Sequence, residues 1–184
     1  MKSFECRTVN ESKVTITELM IPSYANFGGK IHGGILLSLM DKAAYASATK
    51  HSGAYCVTVS VDNVNFRQPV DVGDLVSLKA SVNYVGRSSM VVGIRVEAEN
   101  VKEGKVKHTN TSYFTMVAKD EDGNLMEVPK LKLETEEEVR RFSSAITRKN
   151  KNMNFQKEYI DSKKVFSLEA EIERLKNERC QIEI

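Results

Sequence analysis

Nothing in this 184-residue chain is long and apolar enough to span a bilayer. Its opening residues, MKSFECRTVN, carry no apolar leader. Cysteine is scarce and odd in number. Cys6, Cys56 and Cys180 lie far apart and outside any metal-ligand spacing, which argues for reduced thiols in a cytosol-like compartment rather than a disulfide framework. No His/Cys/Asp cluster has ligand spacing, and neither a P-loop nor a dinucleotide fingerprint occurs. An excess of one charge is missing too: 27 Lys and Arg are interleaved with 25 Asp and Glu, which gives no reason to expect nucleic acid as a partner. No internal repeat is visible. The expectation is a soluble, cytoplasmic protein with no metal, membrane or nucleic-acid partner.

What is present is one segment of unusual character. From Tyr24 to Lys50 (YANFGGKIHGGILLSLMDKAAYASATK) a glycine-rich loop opens into an apolar helix of roughly Ile35 to Lys50, closed by Ser52-Gly53. Asp41 is the only acidic residue between Glu18 and Asp62. Its neighbours at three and four residues' distance, Leu37, Ser38, Ala44 and Tyr45, offer no opposite charge. A carboxylate in such company is costly to bury, so Asp41 is expected to reach solvent or to have work to do. Apolar residues cover more than one stripe of this helix, which suits a helix wrapped by a sheet.

The rest of the first 130 residues reads as strands. Val14 to Leu19, Tyr55 to Phe66, Leu75 to Val85, Ser88 to Glu99 and Val106 to Ala118 are β-branched or alternate cleanly, with turns at PVDVGD, Gly86-Arg87 and DEDGN. One strand, a buried helix and an antiparallel meander make an α+β fold. The 41% hydrophobic content supports one good core plus an appendage. The composition shifts near Pro129, dividing the chain into a domain at 8–130 and a charged tail at 131–184. In the tail, Thr135 to Arg148 starts as a helix with acids in its first turn, Lys149 to Asn154 reads as a polar, basic hinge, and Val165, Leu168, Ile172, Leu175 and Ile182 follow heptad spacing. That spacing fits a short coiled coil beside an oligomeric core or, equally, a solvated helix.

ANFGGKIHGGILLSLMDKAA (Ala25 to Ala44), VTVSVDNVNFRQPVDVGD (Val57 to Asp74), VGRSSM (Val85 to Met90), TSYFTMVAKDEDGN (Thr111 to Asn124) and Pro129 together resemble the acyl-CoA thioesterases of the hotdog fold, the group related to cytosolic acyl-CoA hydrolases. The resemblance covers roughly the first 130 residues; the tail lies outside it. It implies a long central helix wrapped by a curved antiparallel sheet, and homodimers with shared active sites that often assemble as trimers of dimers, giving a hexamer. It places the family's catalytic aspartate on Asp41 and its catalytic asparagine on Asn26, the latter supplied across the interface. Coenzyme A then enters as part of the substrate, no separate cofactor is expected, and the setting is fatty acid metabolism. Lys30 departs from the family, where a small polar or acidic residue is common; it receives no role.

Thioester hydrolysis needs a base to activate water and donors for the oxyanion. The HGG of His32, Gly33 and Gly34 stands where the helix begins and where backbone N–H groups are unpaired. Asp41 is the general base or, alternatively, a nucleophile forming an anhydride. Asn26 orients the water or the carbonyl, or is only a turn residue. Arg87, Ser88 and Ser89 suit the phosphates of coenzyme A, with Arg67 a weaker candidate. His108 and Asn110 read as neighbours on one face of the last strand, and Asp62 and Asp74 as turn caps. His51 reads as a favourable cation at the helix end. The competing reading is a non-catalytic acyl-CoA-binding sensor or scaffold of the same fold, which has little reason to place a carboxylate near the thioester. A hotdog dehydratase is disfavoured, because no His-Asp pairing is apparent.

Overall fold

Alternation in the sequence becomes a sheet bent around one helix. The computed structural model describes residues 6–164 and 166–184. In chain order these form β1 (Arg7–Thr8), α1 (Val9–Ser12), β2 (Val14–Leu19), a 3-10 turn at Pro22–Tyr24, α2 (Gly33–Ser52), β3 (Tyr55–Val61), β4 (Asp74–Val85), β5 (Ser89–Asn100), β6 (Lys105–Lys119), β7 (Leu131–Lys132), α3 (Glu136–Lys164) and α4 (Leu168–Leu175). The main sheet is antiparallel with strand order β2-β4-β5-β6-β3. A small parallel pair joins β1 to β7. The chain divides into two compact units, with the boundary between Ala145 and Ile146. Among the described residues no helix is long and apolar enough to cross a membrane.

The core lies between α2 and the concave face of the sheet. Cross-strand rows such as Leu78–Val96, Ala80–Ile94 and Met90–Met116 point inward and are buried. They meet Leu36, Leu39, Met40, Ala43, Ala44 and Ala48 of α2. The alanines at the centre of the contact let the sheet come close to the helix axis, which is why a mostly small-residue helix can be wrapped rather than merely capped. On β6, Asn110 and Ser112 interrupt the apolar lining. Asn110 Nδ2 donates to Met40 Sδ at 3.4 Å.

The C-terminal end of α2 is held by groups far away in sequence. Arg7 donates to the carbonyls of Lys50 and His51, both at 2.8 Å. A guanidinium therefore supplies the positive charge that the helix C-terminus favours. His51 itself is fully buried, with Nε2 3.0 Å from the Pro129 carbonyl. Burial pushes the imidazole below its usual range; Pro129 pulls the other way and Arg7 adds to the depression. His51 is thus a buried strut rather than a helix-end cation. Ser12 completes the join: it accepts from the Val82 N–H at 3.0 Å, and its carbonyl accepts from Ser47 Oγ at 2.8 Å.

Several element boundaries differ from the sequence reading. β3 stops at Val61 rather than Phe66; beyond it, Asp62 and Arg67 each give β6 one backbone bond, to Tyr113 and Thr109. A bulge where Val96 pairs with Asn110 but Glu97 pairs with His108 puts Thr109 out of register. His108 and Asn110 therefore part: His108 reaches Thr111 Oγ1, while Asn110 is buried. Asp74 does cap a turn, accepting from the Asp71 N–H at 3.0 Å. The basic stretch Lys149 to Asn154 is no hinge but the middle of α3, because it contains neither Gly nor Pro to stop a helix. α4 ends at Leu175, which leaves Ile182 outside any helix, and Val165 lies outside the described residues.

Candidate active site

Asp41 emerges from α2 where the helix passes under β3. Its partner comes from that strand: Thr58 Oγ1 donates to Asp41 Oδ1 at 2.5 Å. Thr58 pairs with Met116 of β6, and its hydroxyl also lies 3.3 Å from Met116 Sδ. Directly after Thr58 the register of β3 shifts, so that Ser60 rather than Val59 pairs with Thr115. That irregularity decides which hydroxyl faces the helix, and the sequence YCVTVSV gives no sign of it. Thr58 was therefore not legible as a site residue.

Two cavities meet at Asp41. One, of about 580 Å³, is lined by Leu37, Ser38, Val61, Asp62, Val64, Phe66 and Phe114, and its surface is mainly apolar. The other, of about 370 Å³, is lined by Lys42, Tyr45, Tyr55, Cys56, Thr58 and Met116. The carboxylate is exposed at their junction.

The loop before α2 is built around Asn26. Its Oδ1 accepts from the N–H groups of Gly28 at 2.9 Å and Lys30 at 3.2 Å, and its own N–H donates to the Lys30 carbonyl at 2.7 Å. Gly29 takes φ 75° at the tip of this turn, which only glycine adopts without strain. Lys30 forms an ion pair with Asp71, which Lys107 also contacts at 3.1 Å; these two cations hold the Asp71 carboxyl below its usual range. His32 caps the helix, its Nδ1 accepting from the Gly34 N–H at 2.9 Å. Gly34's donor is thereby taken by the protein. Gly33, the first helical residue, points its N–H out of the helix, and a Cβ there would lie 3.3 Å from Phe66, a wall of the apolar cavity.

The sheet register places the remaining candidates. Ser89, Val117 and Val57 form one row across β5, β6 and β3, and Met90, Met116 and Thr58 form the next. The turn of Arg87, Ser88 and Ser89 therefore stands at the Thr58 end of the sheet, two strands or roughly 10 Å from that residue. Arg67 bonds to β6 at Thr109, eight residues from Val117, so it lies roughly 27 Å along the strand from the turn. Within one chain the two arginines are not brought together.

Comparison with known proteins adds the family. Residues 28–105 match the family model described as the thioesterase superfamily. Protein VdlD of Helicobacter pylori is 44% identical over 146 residues, which cover 79% of this chain and 83% of VdlD. A solved hexameric acyl-CoA thioesterase superposes with a TM-score of 0.80 at 36% identity, covering 83% of this chain and 97% of its own. The chain belongs to the hotdog-fold acyl-CoA thioesterases. A second thioesterase structure, the Staphylococcus aureus acyl-CoA hydrolase with butyryl coenzyme A and coenzyme A, superposes with a TM-score of 0.78 at 30% identity, over 86% of this chain and 97% of that one. That hydrolase has also been solved with single aspartate, asparagine and threonine residues replaced by alanine.

Proposed function

We propose that this thioesterase hydrolyses acyl-CoA at a site shared by two copies of the chain, with Asp41 as general base. The observation that carries the proposal is the Asp41–Thr58 pair at the junction of an apolar and a more polar cavity. An acyl chain fits the first and the pantetheine arm the second, so the thioester carbon crosses at the carboxylate. Thr58 occupies Oδ1 and leaves Oδ2 to take the proton of a water that attacks the carbonyl carbon. The C–S bond then breaks, and the thiolate of coenzyme A leaves and is protonated. The three residues replaced in the Staphylococcus aureus hydrolase are spaced fifteen and seventeen residues apart, as Asn26, Asp41 and Thr58 are here.

Sharing is what the family resemblance implies, and helix geometry is consistent with it. Gly33 and Asp41 are eight residues apart on α2, or about 12 Å at 1.5 Å per residue. One carbonyl group cannot touch both. On this reading the Gly33 N–H serves the oxyanion of a site whose Asp41 belongs to another copy, and the family resemblance assigns Asn26 to that same donor chain. The edge strand β3 supports such pairing, because Val59 and Val61 are exposed along it. On this reading the catalytic unit is 8–130, dimers assemble as a trimer, and Arg87, Ser88 and Ser89 hold the coenzyme A phosphates. No cofactor enters the reaction. The free thiols of Cys6, Cys56 and Cys180 support a cytoplasmic setting, where the product is a free fatty or short organic acid.

The test is free-thiol release from acyl-CoA esters from acetyl to palmitoyl, with Asp41→Ala as control. Turnover lost in the variant while fold and assembly persist is the expected result. Equal turnover in the variant would remove Asp41 from the chemistry. Binding of acyl-CoA without cleavage of any ester would replace the hydrolase with a sensor.

A further inference from the structure

The catalytic reading leaves unused the unit that begins at Ile146. Its part of α3 carries Ile146, Met153 and Ile160 seven residues apart, on one stripe, with 40%, 51% and 54% of their surface exposed. Three large aliphatic side chains in line on a helix make a seam without its second helix. Lys149 and Lys157 flank the stripe, and between Ile146 and Ile160 four basic residues face one acid, Glu158. α4 has the opposite character. Leu168, Ile172 and Leu175 form its apolar stripe, Glu169 and Glu171 flank it, and none of its residues is buried. A helix of eight residues is marginal in water without a partner. One face is apolar with basic edges, the other apolar with acidic edges.

We infer that α4 of one copy docks on the Ile146–Met153 part of this stripe of α3 in a second copy. The chain's own α4 cannot cover the stripe. Three residues separate it from the end of α3 and it is about 12 Å long, so folding back it would reach only the last two turns of α3, near Ile160. Ile146 and Met153 lie beyond that reach, whereas an α4 arriving from another copy is free to take them. The exchange is reciprocal under twofold symmetry: each copy gives an α4 and receives one. Glu171, which also pairs with Arg174 of its own helix, then lies along the edge that Lys157 lines, which sets the register.

The experiment co-expresses two full-length forms carrying different tags, both with Cys6→Ser and Cys180→Ser. One carries Met153→Cys and the other Ile172→Cys. A short bismaleimide should join them into an adduct bearing both tags. Lys157→Glu in the first form should abolish that adduct, and Glu171→Lys in the second should restore it. A two-tag adduct indifferent to either charge reversal, or none at all, would overturn the inference. So would cross-linking that occurs only within a single chain when both cysteines are placed in it.

Discussion

The middle and the C-terminal end of α2 treat a polar side chain in opposite ways. At Asp41 the helix surfaces beneath an irregular edge strand, and the carboxylate is exposed with one hydroxyl for a partner. Ten residues on, at His51, the helix is enclosed by β1, α1 and the chain around Pro129, and the imidazole is fully buried against a carbonyl. In the sequence Asp41 looked unpartnered along the helix and His51 looked like a cation at its end. Their partners come from different elements, and the company decides the role: an open, polar junction leaves a group free to exchange protons, while enclosure makes it a strut.

Exchanging the roles is the way to break this contrast. The largest effect belongs to Asp41→Ala, expected to lower kcat by about 10³-fold or more with unchanged thermal stability, as general-base loss does. Steady-state kinetics beside a melting curve checks both halves. His51→Ala should do the reverse and cost about 3 kcal/mol by denaturant unfolding, through a cavity and an orphaned carbonyl, while kcat/KM of the folded enzyme stays within twofold. His51 also predicts a pH dependence. Its native pKa lies below the usual 6.5, so the unfolded chain takes up a proton first as pH falls. Stability should therefore be full above about pH 6.5 and decline below it, and His51→Asn should flatten that decline.

Smaller effects sharpen the comparison. If Thr58 positions the proposed base rather than binding the substrate, Thr58→Val should reduce kcat by roughly 10- to 100-fold with little change in KM. A rise in KM alone would move Thr58 into the binding site. Arg7→Met should destabilise by about 1–2 kcal/mol, because two helix-end carbonyls lose a charged donor. The smallest change is expected at Lys30→Ala, under about 1 kcal/mol and without effect on KM, since its ion pair with Asp71 is half exposed. A raised KM for acyl-CoA would give Lys30 a part in anion binding after all.

The fold was legible wherever the signal was periodic. β2, β4, β5, β6 and α2 fall within two residues of their expected limits, because alternation and an unbroken apolar helix are local patterns. What escaped was set by register and by distant partners. The bulge at Thr109 parted His108 from Asn110, the shift after Thr58 chose the hydroxyl that meets Asp41, and Arg7 displaced His51 as the helix-end cation. Asp41 could be singled out because it stands alone in a long stretch without acids. Its partner could not, since a threonine in a strand is ordinary. The tail misled in both directions: a polar run proved helical, and a heptad ran on past the end of its helix.

The eight-residue separation of Gly33 and Asp41 carries a consequence for genetics. If the oxyanion donor and the base of each site come from different chains, two defective alleles can repair each other. Asn26→Ala and Asp41→Ala, each inactive alone, would form mixed pairs in one cell. In such a pair one site collects both lesions and the other collects neither. With random pairing about one quarter of all sites would be intact, as twofold symmetry requires. A cell carrying both alleles would then show activity that neither allele encodes by itself.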